Sequence, residues 1–384
     1  MANPKGGRFI FTPRELGGAF GDLGTLLPLM LGAIAVAGSP PTAVIGGFAV
    51  FYIATGLYYR LPIPVQPMKA VAAVLLAAGI APASLAFSGV VIGLVLLILG
   101  VTGWITHLAR IVPQSVLAGL QLGLGLTLAL VSLDLMATAP LLGAVILALL
   151  IGLLLRPRMP SALIALAIAV AFGQLFDMPG ISAKLPAEAA FLAPALPSLA
   201  EAERAVSQIV LPQLSLTFTN AVLLTALIAS DYFGDRAAHV TPARLSVTSG
   251  LANLLMTPFG ALPMCHGAGG LAAHYRFGAR SGTAPLILGL ILLALAAMPS
   301  AASVAALGAV PAAGLGALLM VAAGELAISK RLYDSKPSCW PVIAVTAGAT
   351  VWVDPFWGLL AGSGAELLRV AVLRVLQRNV TTPR

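Results

Sequence analysis

Leu61-Pro62-Ile63-Pro64-Val65-Gln66-Pro67-Met68-Lys69 is the stretch on which the fold turns. Prolines 62, 64 and 67 fall within six positions, and their missing N–H groups and rigid rings forbid a regular helix there. From Met68 to Gly79 the chain is helix-compatible, and twelve residues rise only about 18 Å at 1.5 Å each. That is about half of a roughly 30 Å hydrocarbon core, so extended chain must supply the rest. Such a half-helix starts near the midplane, with unpaired N–H groups and its positive dipole end aimed into the protein. The design recurs in Gly260-Ala261-Leu262-Pro263-Met264-Cys265-His266-Gly267-Ala268-Gly269-Gly270, followed by helix-compatible chain from Leu271 to Tyr275. If the second copy enters the membrane inverted, the two N-termini converge, and converging helix N-termini make a site for an anion.

Composition supports a membrane frame around these stretches. Of the 384 residues, 59% are hydrophobic and 9% charged, against about 25% charged in soluble domains. Mean hydropathy is +1.02, which excludes both a soluble domain and a disordered chain. The 40 glycines and 28 prolines sit inside apolar runs, where membrane helices tolerate them. We read an all-α polytopic membrane protein with fourteen transmembrane segments. The first seven lie near 14–37, 40–58, 62–79, 83–101, 111–132, 139–156 and 160–176. After a polar stretch at 177–212 the others lie near 213–231, 243–260, 262–275, 283–299, 303–326, 338–352 and 355–376. With both termini in the cytoplasm, only Lys184 and Arg204 among the 21 Lys and Arg fall outside, and Lys69 falls within a span, as the positive-inside rule asks. The formal charge of +8 is therefore topological, and no nucleic-acid partner is expected. Cys265 and Cys339 have no metal or redox spacing. The start lacks a signal-peptide pattern, so the first apolar run is expected to stay as a span, and no soluble domain is expected after the short polar tail.

Seven is odd, so a second set of seven must be inverted relative to the first. Pro113 and Pro311 are offset by 198, Pro67 and Pro263 by 196, and Asp22 and Asn220 by 198, each pair in corresponding segments. We expect 7+7 inverted repeats, with residues 1–176 as the first, 177–212 as an extracytoplasmic linker and 213–384 as the second. Segments 3 and 10 are the half-helices, each preceded by extended chain.

Polar groups at membrane depth are functional candidates by default. Lys69 lies on the first turn of the first half-helix, with Gln66 one turn earlier. Gly267, Gly269 and Gly270 would bare backbone amides to a ligand, beside Cys265 and His266. Asp22 and Thr25 lie mid-way along segment 1, and Asn220 lies in segment 8. Asp22, His266 and Asp231 are candidate proton carriers, Asp231 being at the end of segment 8, while His274 is expected near the membrane interface. Glycine packing, snorkelling and interhelical hydrogen bonds remain open for several of these positions.

Pro64-Val65-Gln66-Pro67-Met68-Lys69-Ala70 resembles one signature motif of the molybdate transporter family, a branch related to the sulfate permeases. Pro263-Met264-Cys265-His266-Gly267-Ala268-Gly269-Gly270-Leu271 with Tyr275-Arg276-Phe277-Gly278-Ala279-Arg280 resembles another, and Gly18-Ala19-Phe20-Gly21-Asp22-Leu23-Gly24-Thr25 resembles its first-helix motif. The resemblance spans essentially the whole chain. It implies the fourteen-helix fold shared with uracil permeases, with core segments at 14–101 and 213–299 and gate segments at 111–176 and 303–376. It further implies a secondary transporter of a tetrahedral oxyanion, molybdate first and sulfate second, rather than an enzyme. Proton-coupled uptake by alternating access in the inner cell membrane is expected, with no cofactor and no metal. Expected partners are the oxyanion, protons and the bilayer, with a homodimer allowed. A nucleobase permease would want acids in segments 8 and 10, and segment 10 has none. A passive anion channel stays open on sequence alone. An aspartyl protease fails because Ala19 and Tyr232 replace the first glycine of its GxGD pattern.

Overall fold

A computed structural model describes residues 9–108, 113–155, 161–176, 178, 196–298 and 309–381. Lys5, Arg8, Arg110, Arg156, Arg158, Lys184, Glu188 and Arg384, the side chain of Arg378, and the expected linker from 179 to 195 lie outside the described residues. The described chain is almost wholly helical. Its principal helices are α1 (Pro13–Ala35), α2 (Pro41–Tyr59), α3 (Lys69–Ala78), α4 (Pro82–Thr102), α5 (Gln114–Met136), α6 (Pro140–Leu154) and α7 (Ser161–Leu175). The later half contributes α8 (Leu199–Ala237), α9 (Pro242–Met256), α10 (Ala268–Phe277), α11 (Thr283–Ala296), α12 (Ala312–Ala327), α13 (Trp340–Trp352) and α14 (Pro355–Thr381). Among the described residues, six of these are long and apolar enough to cross a membrane, namely α1, α2, α4, α5, α8 and α14. Several begin on proline, which fits the first helical turn because its missing N–H would have no partner there. Large apolar side chains such as Leu94, Ile98, Leu130, Leu141, Ile151 and Leu155 face outward, as lipid contact requires.

Between α2 and α3 the proline-rich chain runs extended, and its strand β1 (Gln66–Pro67) pairs antiparallel with β2 (Met264–Cys265). Gln66 lies opposite Cys265 and Pro67 opposite Met264, and Met68 N–H donates to the Pro263 carbonyl at 2.9 Å. The two broken segments thus meet at their extended parts and send α3 and α10 away from the junction. Around them α2 packs on α11, α4 on α9, and α5 on α12 and α13. The α4–α9 crossing is close because a Cβ on Gly93 would sit 2.9 Å from the Gly250 carbonyl, and one on Gly250 would sit 2.8 Å from that of Gly93.

Two boundaries differ from the sequence reading. The polar stretch expected as linker up to Pro212 is helical from Leu199, where Ser198 and Glu201 form a reciprocal capping box. Pro212 is absorbed inside α8 by a π-helical stretch, Val206–Val210, which loosens the turn that the proline ring would otherwise clash with. The second half-helix starts at Ala268 rather than Leu271, so Gly267 is its N-cap and Gly269 and Gly270 belong to its first turn.

Candidate oxyanion site between two half-helices

Lys69 is the first residue of α3 and is half-buried. It lines a small cavity of about 20 Å³ with Gln66, Gln121, Gln213, Thr217 and Asn220. Cys265 and Gly267 close the side nearest α10, and no carboxylate belongs to the described lining. The volume matches about one water molecule, so a larger anion needs the walls to part. Among the described residues Lys69 has no hydrogen-bond or ion-pair partner, although its charge acts on Asp22 and Cys265. The arrangement offers one cation and four side-chain amides to a ligand rich in acceptors.

The N-terminus of α3 is not as bare as the sequence suggests. Gln213 of α8 reaches across, and its Oε1 accepts from Ala70 N–H at 3.0 Å and Val71 N–H at 3.3 Å. Its Nε2 donates to Thr217 Oγ1 at 2.8 Å. A neutral amide therefore occupies the place of a capping anion on this half-helix. The α10 end is more open, and a Cβ on Gly269 would meet nothing within 4 Å.

Behind the cavity lies a buried polar cluster centred on Asp22. Here α1 tightens into a 3-10 turn, Phe20–Asp22, before continuing as α-helix. Gln66 Nε2 donates to Asp22 Oδ1, and the Tyr52 hydroxyl of α2 donates to Oδ2. A Cβ on Gly270 would fall 2.6 Å from both Asp22 Oδ1 and Gln66 Nε2, so glycine is required for this pair to form. His274 is fully buried, because a Cβ on Gly21 would be only 2.9 Å from the Ala273 carbonyl and α1 can lie directly on α10. Its Nδ1 donates to the Gly18 carbonyl at 2.7 Å, while its Nε2 lies 4.0 Å from Asp22 Oδ2.

The other sequence candidates disperse. Both ring nitrogens of His266 are engaged, Nδ1 with the Pro64 carbonyl at 2.8 Å and Nε2 with Thr248 Oγ1 at 2.7 Å. A carbonyl only accepts, so Nδ1 carries the hydrogen and the ring ties β2 to the chain before β1. Thr25 Oγ1 donates to Glu325 Oε2 of α12 at 2.9 Å. Asp231 is exposed near the far end of α8. Asn220 lies in a second π-helical stretch of α8, Thr217–Leu224, so its sequence counterpart Asp22 and Asn220 itself both occupy irregular helix turns. Gln213, Tyr52, His274 and Glu325 were missed by sequence reasoning, although a polar side chain inside an apolar run was signal enough for Gln213.

Gly270→Ala is expected to destabilise the protein by about 1–3 kcal/mol, since overpacking here prises Asp22 from Gln66. Gly269→Ala, with open space at the new methyl, should be neutral or stabilising. Thermal unfolding of the two variants in detergent checks the contrast, and equal stabilities would remove the packing argument.

Known proteins resemble this chain over most of its length. The profile of the family described as "Molybdate transporter of MFS superfamily" matches residues 14–128 and 205–326. Molybdate transporter 2 of Arabidopsis thaliana is 31% identical over 421 residues, covering 96% of this chain and 89% of its own. Molybdate transporter 1 of Arabidopsis thaliana is 30% identical, covering 87% and 83%. Among solved structures, the transmembrane domain of the cyanobacterial bicarbonate transporter BicA superposes with a TM-score of 0.68 at 17% identity, over 92% of this chain and 98% of that one. Murine Slc26a9, an anion transporter in its inward-facing state, gives 0.70 at 15% identity, over 96% and 70%. At such identities the two structures speak for the fold alone.

Proposed function

We propose, from the premise that the chain belongs to the molybdate transporter family, that it carries molybdate across the membrane by proton-coupled alternating access. The observation that carries the reading is the cavity wall, which joins Lys69 at a half-helix N-terminus to four amide side chains and includes no described carboxylate. Such a wall suits a dianionic oxyanion and disfavours a nucleobase, whose N–H groups want acids.

The reading includes 7+7 inverted repeats, divided at the 177–212 stretch. Packing supports it: advancing each helix by seven turns the α2–α11 contact into the α9–α4 contact, and turns α5–α12 and β1–β2 into themselves. We assign α1–α4 and α8–α11 to a core that holds the substrate, and α5–α7 and α12–α14 to a gate. Rocking of core against gate would open the narrow cavity to each side in turn, and the Thr25–Glu325 bond lies on that boundary. Placement in the inner cell membrane with cytoplasmic termini, and pairing as a homodimer, complete the proposal.

Sulfate shares the charge and shape of molybdate and is the competing cargo. Uptake of labelled molybdate into proteoliposomes, with and without an inward proton gradient and with sulfate as competitor, tests the whole reading. Gradient-driven uptake that resists sulfate supports it. Uptake that only equilibrates would make the protein a passive channel, and preferred sulfate would reassign the cargo.

A further inference from the structure

We propose that Asp22 and His274 together bind one proton, and that this shared proton draws the α10 half-helix onto α1 and so prepares the oxyanion site. The inference deepens the proton-coupled reading above and rests on it. It begins with a hydrogen-bond count. The Gly18 carbonyl can only accept, so His274 Nδ1 carries the hydrogen, and in the neutral ring Nε2 is left as a bare acceptor. That Nε2 is buried and lacks any hydrogen-bond partner. It faces Asp22 Oδ2, and both Asp22 oxygens already take a donor, from Gln66 and Tyr52. Without a further proton, two acceptors oppose each other at 4.0 Å inside the protein.

One added proton resolves the opposition. Whether it rides on Nε2 or on Oδ2, a single N–H or O–H bond forms and donates to the partner, and no other bond changes. Hydrogen-bond contact near 2.9 Å needs the pair to close by about 1 Å. Because α10 carries His274 near one end and the 267–270 glycines at the other, this closure acts on the anion-facing end of the same rigid helix. Asp22 reaches the other half-helix too, through Gln66 three residues before Lys69.

The charged and titratable groups around the pair are few. Tyr52 of α2 faces both members, donating to Asp22 and standing edge-on to the His274 ring at 6.3 Å. Lys69 of α3 and Glu325 of α12 act on Asp22 with opposite signs. Glu15 of α1 is engaged by Arg280 N–H at 2.8 Å, and Tyr275 lies beneath the Arg280 guanidinium. Protonating the pair adds one positive charge next to Gly270, which favours a dianion at the half-helix ends. By reciprocity, bound oxyanion raises the proton affinity of the pair.

Titration calorimetry of molybdate into the purified protein, in two buffers of different ionisation enthalpy, counts the protons taken up on binding. In the wild type we expect uptake approaching one proton through this pair, with the apparent Kd falling as pH falls, by up to about tenfold per pH unit. His274→Gln should still bind molybdate at low pH but lose that proton and flatten the pH profile. An unchanged proton count in His274→Gln overturns the pair while leaving coupling through another group. If the wild type binds molybdate with no proton uptake at any pH, the proton-coupled reading falls and this inference falls with it. Should His274→Gln fail to fold, Asp22→Asn removes the other half of the pair, and a retained proton there overturns the proposal equally.

Discussion

Lys69→Met is expected to weaken molybdate binding more than tenfold, a loss above about 1.4 kcal/mol, while leaving the protein folded. The lysine is half-buried at the first position of α3, and its ammonium has no bonded partner among the described residues to hold it away from a ligand. Unit charges about 4 Å apart attract by about 4 kcal/mol at an effective dielectric near 20, and a dianion doubles the attraction before desolvation is subtracted. Backbone amides alone cannot replace this, because Gln213 already holds two of those at the start of α3. Methionine keeps the length and apolar stem of the side chain, so the variant tests charge rather than packing. Equilibrium binding on purified protein, alongside its thermal unfolding, is the measurement. Unchanged affinity in a folded variant would remove Lys69 from the site.

Asp22→Asn should cut concentrative uptake at least tenfold while exchange of oxyanion across the membrane continues. Importing a dianion against an interior-negative 100 mV costs roughly 4.6 kcal/mol, so at least two protons must accompany it to remove the opposition. Asparagine can still accept from Gln66 through Oδ1, its Nδ2 can donate to the Tyr52 hydroxyl oxygen with the Tyr52 proton turned away, and its size matches the space beside Gly270, so local packing survives. What it lacks is a carboxylate that can take or release a proton. With a pH step of one unit and no membrane potential, each coupled proton allows about tenfold accumulation. We expect the inside-to-outside ratio of the variant to fall at least tenfold below that of the wild type, with counterflow preserved. If the variant still accumulates molybdate as the wild type does, Asp22 is only a structural partner, and the coupling group lies elsewhere.

The two half-helices were legible because proline announces itself in sequence: three rings in six residues leave few backbone options. Lys69 and Asp22 were legible because a charge at membrane depth demands a reason. What stayed hidden depended on contacts between distant segments. Gln213 caps α3 from 143 residues away, and no local pattern encodes that reach. The surroundings of His266 and His274 stayed hidden for the same cause. His266 is next to the glycine motif in sequence, yet Pro64 and Thr248 consume both its nitrogens. His274 is eight positions further along, and only the close α1–α10 crossing brings it to Asp22. The early start of α8 was recoverable in principle, since Ser198 and Glu201 have the spacing of a capping box. Their polarity made the stretch read as linker instead.

Anomalous scattering at the molybdenum edge, from the protein crystallised with molybdate, locates the cargo without reference to any mutant. We predict one ordered molybdenum between the N-termini of α3 and α10, in contact with Lys69 Nζ and the backbone amides at 268–270. A single site elsewhere in the membrane-embedded part, with the Lys69 cavity left to solvent, would contradict the account at its centre.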